Sequence, residues 1–142
     1  MKNKIIFLDL DGPLFNDGVY IEEAGYCLGE LVKLTGAKII ITSDWRIGKS
    51  LEQVRSRLSR YIGITSQDVI GLTDVIYYKD SYEIARGAEI DLWLRDHPEV
   101  DSYVIIDDLK TSALVSMSDN FVLVEKSGFI GEAFRKALRI LG

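Results

Sequence analysis

The sequence predicts an α/β fold in three layers, with helices on both faces of a mostly parallel sheet of about five strands. Three observations predict it. Short apolar runs at 5–8, 39–41 and 104–106 are rich in β-branched residues and read as strands buried on both faces. Stretches of helical spacing separate them, as crossovers between parallel strands require. The runs then end in Asp9 and Asp11, in Thr42 and Ser43, and in Asp107 and Asp108. Open sheets of this kind bind ligands at the carboxyl ends of their strands.

The first strand is expected over Lys4–Leu10. The period of two along it puts Asp9 and Asp11 on one side of the chain, with Gly12 free to turn. Asn16-Asp17-Gly18 between apolar pairs predicts a small hairpin or flap beside the two acids. A helix follows over Glu22–Thr35, stopped by Gly36, with Gly25 and Gly29 giving a small face for packing on the sheet. Ala37–Ile41 is the second strand and 48–61 the next helix. Asp68–Leu72 reads as a short edge strand. Helical spacing over Asp80–His97, stopped by Pro98, places Ile84, Ala88, Leu92 and Trp93 on or near one face. After the strand at 104–106 come a short helix at Thr111–Met117, a strand at Phe121–Val124 and a closing helix at Ile130–Leu141. No repeat or linker divides the chain, so residues 1–142 are expected to form one domain.

Composition narrows the function. Hydrophobic residues make up 47% and charged residues 27%, which suits a folded chain, and the net charge of −5 argues against a strongly basic, polyanion-binding protein. One Cys and one His exclude an internal disulfide and zinc-like spacing. No run reaches transmembrane length, and 5–8 is too short for a signal sequence, so no membrane partner and a cytoplasmic location are expected. Oligomeric state is not legible.

The acids carry the chemistry. Carboxylates at contact distance repel by on the order of 4 kcal/mol per pair at intermediate dielectric. Acids from two strand ends, with backbone carbonyls nearby, make an oxygen-rich site suited to a hard cation such as Mg2+. A cation there presents an edge to a phosphate, whose other oxygens need donors. Thr42 and Ser43 at a strand end are candidates, though such hydroxyls also cap helices. Arg86, just ahead of the Asp107 strand, is the leading basic candidate, with Lys79 and Lys110 behind it and Arg46 reaching in from the other side. Its bland alternative is a local pair with Glu83 or Glu89. The segment with Arg46, Lys49, Arg55, Arg57 and Arg60 is a basic patch in an acidic chain, or simply a solvated helix face. Trp45 and Trp93 read as core residues, and His97 as a helix end.

In order along the chain, Phe7-Leu8-Asp9-Leu10-Asp11-Gly12, Ile40-Ile41-Thr42-Ser43, Arg86 and Ile105-Ile106-Asp107-Asp108 resemble the four motifs of the haloacid dehalogenase (HAD) superfamily. Ser43-Asp44-Trp45-Arg46, with Arg86-Gly87-x-Glu89-Ile90-x-x-Trp93-Leu94, is similar to the small HAD domains associated with RNA-repair proteins. The resemblance implies a Rossmann-like, HAD-like sandwich and a Mg-dependent phosphomonoesterase working through a phosphoaspartate. By position it makes Asp9 the nucleophile and Asp11 the general acid and base. Asp9, the carbonyl of Asp11, Asp107 and Asp108 would hold Mg2+. Thr42, with Ser43 in reserve, and Arg86 would steady the phosphoryl group. Gly12, Arg46, Lys49 and Lys110 are expected on the substrate side. Pro13 departs from the Thr or Val of many members, which changes the entry to the flap and leaves the acids untouched.

The intervals from Asp11 to Thr42 and from Ser43 to Arg86 are already filled by predicted elements, so no cap domain is expected and the site should be open. An open site leans to a phosphorylated nucleic-acid end or nucleotide, with the basic helix as a track for a phosphate backbone. A small-molecule phosphatase of the same mechanism is one alternative. A phosphate-accepting receiver-like domain is the other, disfavoured because the paired acids and the late basic residue of that class fall in a different order.

Overall fold

Strands that are apolar on both faces bury themselves by pairing side by side under helices. The computed structural model describes residues 2–61, 63, 66–76 and 82–142, and the side chains of all but 82–85 among them. In chain order the regular elements are β1 (Lys4–Leu8), a hairpin of β2 (Phe15–Asn16) and β3 (Val19–Tyr20), α1 (Glu22–Thr35), β4 (Lys38–Ile41), α2 (Leu51–Leu58), β5 (Val69–Leu72), α3 (Tyr82–Arg95), β6 (Ser102–Asp107), β7 (Phe121–Leu123) and α4 (Gly131–Leu141). The main sheet has five strands in the order β5-β4-β1-β6-β7, all neighbours parallel. The chain thus runs outward from β1 through β4 to β5, then returns to the other side of β1 as β6. That reversal makes the gap between β1 and β6 a topological switch point.

Alternation along the strands sorts the core into two layers. Ile6, Leu8, Ile39, Ile41, Val104 and Ile106 pack under α1, α2 and α4. Ile5, Phe7, Ile40 and Ile105 face Ile90 of α3 and Met117 on the other side. The second set fixes the site, because Asp9, Thr42 and Asp107 continue the same parity.

Several expected boundaries shift for local reasons. β1 ends at Leu8, two residues early, because the chain turns at Leu10. Gly48 has φ +70, outside helical space, so α2 begins only at Leu51, where Ser50 and Gln53 form a reciprocal capping box. A 3-10 turn over Asp44–Arg46 fills the interval after β4. The expected helix at 111–117 is instead two 3-10 turns, Lys110–Ser112 and Val115–Asn120, around an extended Ala113. That stretch is rich in Ser, Thr, Asp and Asn, which are weak helix formers. The small face of α1 meets a loop, not the sheet. A Cβ on Gly29 would lie 2.6 Å from the carbonyl oxygen of Gly63.

α3 is the largest departure. Its start at Asp80 and Ser81 lies outside the described residues, as does the side chain of Ile84. Leu92, expected inside, is exposed, while Gly87, Glu89 and Ile90 are buried. A buried Glu on the inward face breaks the apolar period that sequence reading relies on. Between β1 and β4 and between β4 and β6 there is no inserted cap among the described residues. No described helix is long and apolar enough to cross a membrane.

Candidate active site

The parallel ladder carries on one residue past the strands and sets the site. The Asp9 amide donates to Ile106 O at 3.0 Å and the Thr42 amide to Leu8 O at 3.0 Å. Asp9 therefore sits between the ends of β4 and β6, beside Thr42 on one flank and Asp107 on the other. All three are buried.

Carboxylate oxygens of Asp9, Asp107 and Asp108 lie within 4.8 Å of one another. Burial, then the charge of Asp107, raises the Asp9 carboxyl from 3.8 to about 8, against the opposing pull of Arg86. Burial likewise raises Asp108, with Asp107 adding to it by hydrogen bond and charge. Asp107 Oδ1 accepts from the Leu109 amide at 3.1 Å, which fixes its rotation. Gly12, at φ +109, makes room for the cluster. A Cβ there would sit 2.5 Å from Asp108 Cγ. An all-oxygen donor set with this uncompensated charge fits a hard divalent cation.

Among the described residues, one guanidinium reaches the cluster, that of Arg86. Arg86 Nη1 lies 3.0 Å from Asp107 Oδ2 and 3.5 Å from Asp9 Oδ1, while Nη2 meets Asp44 Oδ1 at 3.2 Å. Burial alone would lower its pKa, but Asp9 and Asp107 outweigh that and the net direction is up. Gly87 lets α3 come this close, since a Cβ would meet the Leu114 amide at 2.9 Å. The local alternative for Arg86 does not form with Glu89, which pairs elsewhere.

The two hydroxyls at the end of β4 divide their work. Ser43 Oγ accepts from the Trp45 amide at 3.3 Å and caps the 3-10 turn. Thr42 Oγ1 is buried with no hydrogen-bond partner among the described residues. A hydroxyl left so is costly unless something else binds it.

Two expectations need correction. Asp11 is exposed, and its carboxylate is outside the acidic cluster. The period-two argument lapses where β1 ends. Asp11 Oδ2 instead accepts from Trp45 Nε1 at 3.1 Å, so Trp45 is no plain core residue. Arg46 does not face substrate. It is 4% exposed, its Nη2 meets Glu89 Oε1 at 2.8 Å, and it donates to carbonyls of Thr42, Ser43 and Thr73. It braces the site from behind.

The basic track is shorter than its sequence. Arg55 donates to Val69 O at 2.7 Å and to Glu52 at 2.8 Å, and Arg57 lies over the Trp45 ring at 3.5 Å. Lys49 and Arg60 are exposed, and so is Lys110 in the turn after β6. Lys79 lies outside the described residues.

A cleft of about 590 Å3 opens on the exposed side, between the hairpin and the end of β7, with Asp11, Gly12, Asp108, Asn16, Asp17 and Lys126 in its walls. Neither Lys49 nor Lys110 lines it. Asp17 and Gly18 both have positive φ, as a tight two-residue hairpin turn needs, so the expected flap forms. Glu89 was expected only beside Arg86, and neither Asp44 as a partner nor Lys126 as a lining residue was singled out by sequence. Lys126 could have been, since it follows a strand's carboxyl end.

A family model described as the HAD domain in Swiss Army Knife RNA repair proteins matches residues 5–133. The chain belongs to this family. No curated protein and no solved structure matches it. Membership implies phosphatase-type hydrolase chemistry on a phosphorylated substrate, and the acidic cluster of this HAD domain fits the metal site such chemistry uses.

Proposed function

We propose that this HAD domain is a Mg2+-dependent phosphomonoesterase in which Asp9 is phosphorylated. The observation that carries the reading is the cluster of Asp9, Asp107 and Asp108 at the switch point, with the Arg86 guanidinium beside it and a Thr42 hydroxyl that has no partner among the described residues. Asp9, Asp107, Asp108 and the carbonyl of Asp11 would hold the cation, which supplies charge stabilisation to the transferring phosphoryl group.

The residues then divide the reaction. An oxygen of the Asp9 carboxylate bonds to phosphorus as the ester P–O bond breaks. The electron pair leaves on the ester oxygen, which takes the proton of the Asp11 carboxyl. Water next adds to phosphorus and gives its proton to the Asp11 carboxylate. The aspartyl P–O bond breaks, its electrons return to Asp9, and phosphate departs. Thr42 donates to a phosphoryl oxygen, and Arg86 balances the charge gathered between Asp9 and Asp107. Ser43 contributes through the turn it caps.

Phosphate release from p-nitrophenyl phosphate tests the reading. Activity should depend on added Mg2+, stop with EDTA, and vanish in Asp9→Asn with the fold intact. Retained turnover in that variant would sink the mechanism, and one-time uptake without release would point to a receiver-like domain.

For the substrate, we favour a nucleic-acid end or nucleotide. The family's description as RNA repair supports this, as does the Arg57–Trp45 stack beside Asp11. A 3′-phosphorylated oligonucleotide should then be turned over faster than a sugar phosphate. Equal or better rates on the sugar phosphate would favour a small-molecule phosphatase.

A further inference from the structure

We infer that Trp45 is a positioning residue for Asp11, its indole N–H holding the acid/base carboxylate at the mouth of the site. This rests on the phosphatase reading above. Asp11 lies beyond the last residue of β1, is exposed, and precedes a glycine, so neither the sheet nor packing fixes its side chain. Its single side-chain hydrogen bond among the described residues is the one from Trp45 Nε1.

The indole, in contrast, is held from several directions. The Trp45 amide is capped by Ser43 Oγ. One ring neighbour is Phe15 of the hairpin, with centroids 4.9 Å apart. The guanidinium of Arg57 covers the ring at 3.5 Å. Phe15 in turn packs on Tyr20 and Tyr61, which ties the hairpin to the same aromatic group. A rigid donor next to an exposed carboxylate limits where that carboxylate can point. In the first half-reaction the proton passes from Asp11 to the ester oxygen that keeps the electrons of the broken P–O bond. Misplacing the carboxyl therefore costs most when that oxygen is a poor leaving group.

The test follows from this dependence. Trp45→Phe keeps an aromatic ring and deletes the donor. On an alkyl phosphate its kcat/KM, which reports the first half-reaction alone, should fall about ten-fold, the effect of one hydrogen bond to a charged group. On p-nitrophenyl phosphate, whose leaving oxygen needs little protonation, the loss in kcat/KM should stay under about three-fold. In an Asp11→Asn background, Trp45→Phe should have no further effect on either ester. Should Trp45→Phe fail to fold, 3-benzothienylalanine at position 45 removes only the N–H and gives the same readout. Equal losses on both esters, or an undiminished effect in the Asp11→Asn background, would overturn the inference. An Asp11→Asn enzyme as fast as wild type on alkyl phosphates would instead overturn the acid/base role itself.

Discussion

Of the arginines that meet carboxylates, Arg46 and Arg86 lie at the site, and the charge around each separates brace from chemistry. Arg46 is paired one to one with Glu89, and its remaining donors end on backbone carbonyls. Nothing is left over. Arg86 faces Asp9, Asp107 and Asp44 at once, with Asp108 close behind. A buried pair in balance is a strut between the turn after β4 and α3. A buried cluster with excess negative charge is a place for a cation.

If that contrast holds, variants of the two groups should behave differently. The largest effect is expected from Asp9→Asn, which should lower kcat by about 10^3-fold or more without loss of folding. Arg86→Gln should lower kcat by about 10^2-fold, the scale of one lost electrostatic contact to the transferring group. Arg46→Ala should do the reverse. Leaving Glu89 buried and unpaired costs about 3–5 kcal/mol of stability, read from denaturant unfolding. Activity per folded molecule should change far less than in Arg86→Gln. Loss of activity without loss of stability in Arg46→Ala would erase the distinction.

Thr42→Val probes the same contrast at smaller scale. It removes a buried hydroxyl that has no partner among the described residues, so stability should hold or rise by about 1 kcal/mol, while kcat falls about ten-fold. The smallest effect concerns pH. With Asp9 raised from 3.8 to about 8, the folded domain without metal keeps a proton that the unfolded chain releases. That stabilises the fold below 3.8 and is lost as pH rises through about 8. The Tm of EDTA-treated protein should therefore drift downward across this window. Asp9→Asn should flatten the drift, and Mg2+ should reverse it in the wild type.

The sheet was legible because strands buried on both faces leave unbroken apolar runs, and their ends announce where ligands bind. Asp9, Thr42 and Asp107 could be placed together by that rule alone. Asp11 could not, because strand parity says nothing once the chain turns. Arg46 looked available in sequence, yet a charge near a strand end does not reveal whether carbonyls will consume it. α3 hid its inward face because Glu89, buried against Arg46, stands where a periodic pattern expects a hydrophobe. The Trp45–Asp11 bond joins a 3-10 turn to a strand exit, a pairing set by tertiary structure that no local spacing encodes.

With its cation bound, the excess-charge cluster should make Asp9 a nucleophile towards phosphorus. Asp11→Asn should slow the second half-reaction, so the phosphorylated intermediate should accumulate with p-nitrophenyl phosphate and Mg2+. Acid quench and peptide mass spectrometry of that variant should find one phosphoryl group, on Asp9. A variant that turns over substrate with no adduct, or with the adduct on another residue, would rule Asp9 out as the nucleophile.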